Sequence, residues 1–213
     1  MTYLDEELVM LREETRKFTE NEVLPEANER DPKEQRMSQA LVDKLGSMGF
    51  FGILTPEEYG GLDLGPLAYA IVTEELARGW MSVASIIARG QNLPGATEEQ
   101  KREYVTDMAD GKRLMAVSIS EPGAGRDVAA METVARKAGD EYVLNGQKTW
   151  CTFAKGADSI VVYAKTDPEA DPPHRGISSF IVEKPPGTFD VDGLTATKLN
   201  TIGYHGWFSY ELN

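Results

Sequence analysis

The chain has a single cysteine, Cys151, and only two histidines, His174 and His205, among its 213 residues. A lone cysteine excludes an internal disulfide, and two isolated histidines without nearby cysteines or clustered carboxylates offer no metal-ligand spacing. Neither zinc nor a disulfide framework is expected. Long apolar runs are also lacking, and no stretch approaches the roughly 18 residues that a membrane-spanning helix needs. The opening Met1-Thr2-Tyr3-Leu4-Asp5-Glu6-Glu7 is acidic where a secretion signal is basic and then apolar, so the expected compartment is the cytoplasm. Net positive charge is missing too: the formal balance is −13. Such a chain repels phosphate backbones at long range, which argues against a nucleic-acid partner and requires any anionic ligand to be held by local groups.

What is present falls into two textures. From Leu4 to about Ala109 apolar residues recur at helical spacing. Leu4, Leu8, Leu11 and Phe18 share one stripe, in a first helix predicted to end near Pro25. Met37, Leu41, Leu45 and Met48 form a second stripe, stopped at Gly49, where a left-handed cap suits a residue without Cβ. Further helices are predicted over Leu67–Arg78 and, after Pro94-Gly95, over Glu98–Ala109 with Tyr104, Val105 and Met108 inward. Beyond Gly111 the chain turns to short runs of Val, Ile, Thr and Tyr broken by Gly, Asn, Asp and Pro, the pattern of strands and turns. Asn145-Gly146 reads as a tight hairpin turn between Tyr142 and Trp150, and Ser159–Ala164 and Gly176–Val182 read as strands. The expected class is therefore α+β: a helical domain over 1–111, then an antiparallel barrel- or sandwich-like domain over 112–213. Gly123-Ala124-Gly125 lacks the third glycine and the following helix of a dinucleotide fingerprint, so a Rossmann enzyme fits poorly.

Chemistry concentrates around Val117-Ser118-Ile119-Ser120-Glu121-Pro122-Gly123-Ala124-Gly125-Arg126-Asp127. A strand running into a turn of small residues allows a ligand close to the backbone, although a plain strand and Pro-Gly turn reads the same way. Ser120 to Gly125 followed by Asp127, then Asn145-Gly146-Gln147-Lys148 and Trp150-Cys151-Thr152, resemble the paired signatures of the acyl-CoA dehydrogenase family. Pro56-Glu57-Glu58-Tyr59-Gly60-Gly61 and Glu98-Glu99-Gln100-Lys101 extend the resemblance toward the front of the chain. It covers that family's N-terminal helical and middle β-domains.

The resemblance implies FAD as cofactor and an acyl-CoA thioester as substrate, oxidised at its α,β bond. It also implies an electron-transfer flavoprotein as electron acceptor and a homo-oligomer when complete. Val117, Ser118, Ile119 and Ser120 would face the flavin, Trp150 and Cys151 would lie against it, and Thr152 would offer its hydroxyl near N5. Trp150 reads equally well, on its own, as a core aromatic. Arg126 stands where the family generally has a serine toward CoA, and is either a phosphate partner or a solvated charge. The family's catalytic base is a glutamate on a C-terminal helical bundle, absent by expectation from these 213 residues, so no catalytic residue is assigned. Glu121 is expected to stabilise its turn, and His205 to be an ordinary strand or turn residue. A related flavoenzyme of oxidase, nitroalkane-oxidase or monooxygenase type, or a non-catalytic remnant that binds a partner chain, remain the alternatives.

Overall fold

The structure is a computed structural model, described here over residues 4–90, 93 and 95–213. Met1, Thr2 and Tyr3 of the acidic opening, and Pro94 ahead of the last helix, lie outside the described residues. The chain divides into two compact units, Met1–Leu114 with Thr201–Trp207, and Met115–Asn200 with Phe208–Asn213.

The first unit contains helices α1 (Glu6–Phe18), α2 (Leu24–Arg30), α3 (Gln39–Ser47), α4 (Gly65–Gly79), α5 (Met81–Ile86) and α6 (Glu98–Ala109). Asp5 starts α1 by accepting from the Leu8 amide, and Thr97 with Gln100 closes a reciprocal capping box on α6. Pro25 does not end the first helical run. A π-type turn over Thr19–Val23 leads into α2, where proline sits in the first turn and its missing N–H is not needed. Gly49, at φ 73°, supplies the left-handed stop after α3. Leu41, Leu45, Phe51, Val72, Leu76, Val83 and Val105 form the core, whereas Met48, though on the predicted stripe, is exposed.

The loop Thr201–Trp207 packs within this helical unit. Asp31 Oδ1 accepts from the Trp80 indole at 2.9 Å and from the His205 amide at 3.2 Å. The Gly206 amide donates to Ser82 Oγ at 3.1 Å, and its carbonyl accepts from Met37 N–H at 3.2 Å. His205 is thus part of a structural clasp, and the final strand starts only at Ser209.

The second unit holds β1 (Met115–Ser118), β2 (Val134–Ala138), β3 (Glu141–Asn145), β4 (Lys148–Thr152), β5 (Ser159–Lys165), β6 (Ile177–Glu183), β7 (Ala196–Lys198) and β8 (Ser209–Leu212). In the larger sheet β6 runs antiparallel along the whole of β5. On the other edge of β5 lie β1, parallel to it, and the start of β2, which meets it at Val134 and Lys165 and pairs antiparallel with β3. The smaller sheet has the order β4-β8-β7. The α+β class holds, but the pairing is mixed: β5 has parallel neighbours where an antiparallel domain was expected.

Asn145-Gly146 is not a hairpin turn either. Strand β3 pairs back to β2, and β4 belongs to the other sheet, so this dipeptide carries the chain between sheets. The two-residue hairpin is Gly139-Asp140, between Ala138 and Glu141. Asn-Gly marks tolerance of unusual φ, which a hairpin and a sheet-to-sheet corner both require. Gly146 has φ 153°, and a Cβ there would lie 2.4 Å from Thr133 Oγ1 and 2.7 Å from its Cα. Gly146→Ala is therefore expected to cost about 3 kcal/mol, from backbone strain and overpacking together. Urea unfolding measures this, and a loss below about 0.5 kcal/mol, the ordinary surface-mutation range, would contradict it.

Candidate functional site

The two motif segments meet inside the β unit. The Thr149 amide donates to Ser120 O at 2.8 Å and Cys151 Sγ lies 3.4 Å from Val117 O, so residues 117–120 and 149–151 run side by side in opposite directions. Beneath them lies an ion pair. Lys148 Nζ is 2.8 Å from Glu121 Oε1, and the two side chains are only 4% and 5% exposed. The same ammonium donates to Ile119 O at 2.9 Å. Glu121 also accepts from the amides of Glu132 at 2.6 Å and Thr133 at 3.0 Å. Burial alone would raise its pKa, but the Glu132 amide, Lys148 and Thr133 outweigh that and lower it to about 2. The Glu121 backbone closes the turn by exchanging hydrogen bonds with Ala124 at 2.8 and 3.2 Å. The Glu121 carboxylate is fully engaged and unsuited to proton abstraction.

Above this buried pair the surface is apolar and open. Trp150 is 60% exposed and Val117 41%. The register of β4 against β8 shifts between Lys148 and Cys151, and Trp150 takes φ 57° within that shift. A bulge expels the indole from the ladder, and a left-handed bulky residue stores strain of the kind found at functional sites. Thr152 is half-buried, its hydroxyl 2.7 Å from Ser209 Oγ. Ile119 and Ser120 are half-buried at the strand end.

Ser118 and Cys151 face the other way. Ser118 is 1% exposed and lines a cavity of about 410 Å³ within the unit, its hydroxyl lacking a hydrogen-bond partner, while Cys151 is fully buried. Strand alternation turns their side chains inward, leaving only their main chain for a ligand. Arg126 is exposed on the turn. A Cβ added at Gly123 or Gly125 would meet no atom within 4 Å, so nothing inside the chain demands glycine there. An open, small-residue surface beside an exposed aromatic is suited to close approach by a flat ligand.

Lys148 stands in the Asn-Gly-Gln-Lys motif, yet nothing local in the sequence marks it as the buried partner of Glu121. A lysine at the start of a strand normally reads as solvated, and only the pairing across 27 residues reveals its burial. Ser209, the partner of Thr152, was beyond local signals for the same reason: 57 residues separate them.

Comparison with known proteins gives a consistent result. Residues 5–112 match the model for the acyl-CoA dehydrogenase N-terminal domain and residues 116–213 that for the acyl-CoA dehydrogenase middle domain. The chain is 36% identical to (2S)-methylsuccinyl-CoA dehydrogenase of Cereibacter sphaeroides, over 98% of this chain and 40% of that protein. All of this chain superposes, with TM-score 0.87 and 34% identity, on 56% of a chain in a structure described as an electron transferring flavoprotein of Acidaminococcus fermentans. A glutaryl-CoA dehydrogenase from Mycobacterium smegmatis in complex with FADH2 gives TM-score 0.85 at 25% identity, over 98% of this chain and 52% of that one. The chain spans about half the length of the proteins it matches. With both domain models matched in order along nearly its whole length, the chain belongs to the acyl-CoA dehydrogenase family.

Proposed function

We propose that this chain forms the flavin-facing part of an FAD-dependent acyl-CoA dehydrogenase that oxidises the α,β bond of an acyl-CoA thioester. The observation that carries this reading is the exposed Trp150 on its strained bulge, beside the exposed Val117 and the open Glu121–Arg126 turn. Bound FAD would supply the acceptor for the substrate's β hydrogen. Trp150 and Val117 would cover the ring, and the main chain of Ser118, Ile119, Ser120 and Cys151 would offer amides and carbonyls to its edge. Thr152 would present its hydroxyl, steadied by Ser209. Arg126 would pair with a phosphate of the CoA portion, which a guanidinium does bidentately. None of the chain's carboxylates is assigned as the base. An electron-transfer flavoprotein as acceptor and a homo-oligomeric complete enzyme belong to the same reading, the former supported by the Acidaminococcus match.

The direct experiment is the visible spectrum of the purified chain after incubation with FAD and desalting. Retained flavin bands are expected, weakened in Trp150→Gly. A colourless wild-type chain would overturn the reading.

A further inference from the structure

Ile119 C=O and Ser120 N–H belong to one planar, resonance-coupled peptide group. The oxygen end accepts from the buried Lys148 ammonium at 2.9 Å. At the nitrogen end, nothing among the described residues accepts from the Ser120 N–H, although Ser120 O is taken by the Thr149 amide. Ser120 is half-buried at the open end of the strand, next to the bulge that exposes Trp150. A cation on a peptide oxygen draws electron density from the nitrogen and makes the N–H a stronger donor, and linked hydrogen bonds reinforce one another most where water is excluded. Lys148 is nearly sealed from water, and Glu121 holds it in place.

We propose that Lys148 acts through the Ile119–Ser120 peptide as a positioning and tuning residue, sharpening the Ser120 amide as a donor to a ligand that gains negative charge. The inference rests on the flavin reading above, and names the amide that favours the reduced, anionic ring. Lys148 does not touch that ligand. The buried lysine makes electronic use of a bond that would otherwise only tie two strands together.

The test compares Glu121→Gln with the double variant Glu121→Gln, Lys148→Met. Both lack the Glu121 charge and differ at position 148 alone: in the single variant the ammonium stays on the Ile119 carbonyl, with the introduced neutral amide oxygen as its other acceptor, and in the double variant no charge is left at the site. In the flavin-free chains, the Ser120 amide proton resonance is expected at higher field in the double variant. An unchanged resonance overturns the inference, whatever flavin does. With FAD bound, the double variant is expected to favour reduced over oxidised flavin at least tenfold less, read as a more negative midpoint potential. A lysine that merely clamped strands would weaken both redox states equally, and equal potentials in the two variants therefore overturn the inference while leaving the flavin reading intact. Wild-type chain that takes up no flavin overturns both.

Discussion

Replacing Lys148 by methionine is expected to lower the unfolding free energy by about 3–5 kcal/mol, the cost of leaving a buried charge without its partner. Glu121 would keep two amide donors but lose the ammonium that lies 2.8 Å from its oxygen. Equilibrium unfolding in urea near pH 7 measures the loss, and a change under about 1 kcal/mol would show that the pair is solvated. The same pair governs acid behaviour. The Glu121 pKa is lowered from 4.5 to about 2 in the folded state, so its stabilisation is complete above about pH 4.5 and disappears as pH falls toward 2. That depression is worth roughly 3 kcal/mol. In Lys148→Met the carboxyl binds its proton at higher pH in the folded state, and the contrast in stability between pH 7 and pH 3 shrinks. An unchanged contrast would assign the acid sensitivity to other carboxylates.

Trp150→Gly is expected to separate stability from ligand binding. The indole is 60% exposed and contributes little burial, while its φ of 57° costs about 1–3 kcal/mol that glycine does not incur. Added flexibility of the unfolded glycine chain offsets part of that gain, so unfolding free energy should change by less than about 1 kcal/mol. Flavin retention, in contrast, should fall by up to about tenfold, because stacking on an aromatic face is worth about 0.5–1.5 kcal/mol. Marked destabilisation with unchanged flavin uptake would mean that Trp150 serves the fold.

Much of this architecture is legible in the sequence. Helical stripes located α3, α4 and α6, since each helix buries one face and the period of 3.6 survives in the order of residues. The motif segments point to the candidate site, because glycines, a proline and small hydroxyl residues cluster where a backbone stays open. Long-range pairing was not legible. Asn145-Gly146 advertises an unusual backbone but not whether the next strand folds back or changes sheet. Pro25 lacks a donor in any setting, yet a π-type turn places that lack in a helix's first turn. Strand alternation could assign Val117 outward and Ser118 inward once the strand was recognised. The bulge at Trp150 interrupts alternation in β4, and no local signal announces it.

The measurement that tests the central claim most directly is an FAD titration followed by intrinsic tryptophan emission. Of the three tryptophans, Trp80 and Trp207 are 6% and 8% exposed, and Trp150 alone is open to solvent at 60%. If the Trp150 face receives the flavin, the long-wavelength, solvent-exposed component is quenched as FAD binds, and Trp150→Phe loses that component while still retaining flavin. Flavin uptake that leaves the Trp150 component undiminished would place the cofactor elsewhere and contradict the account.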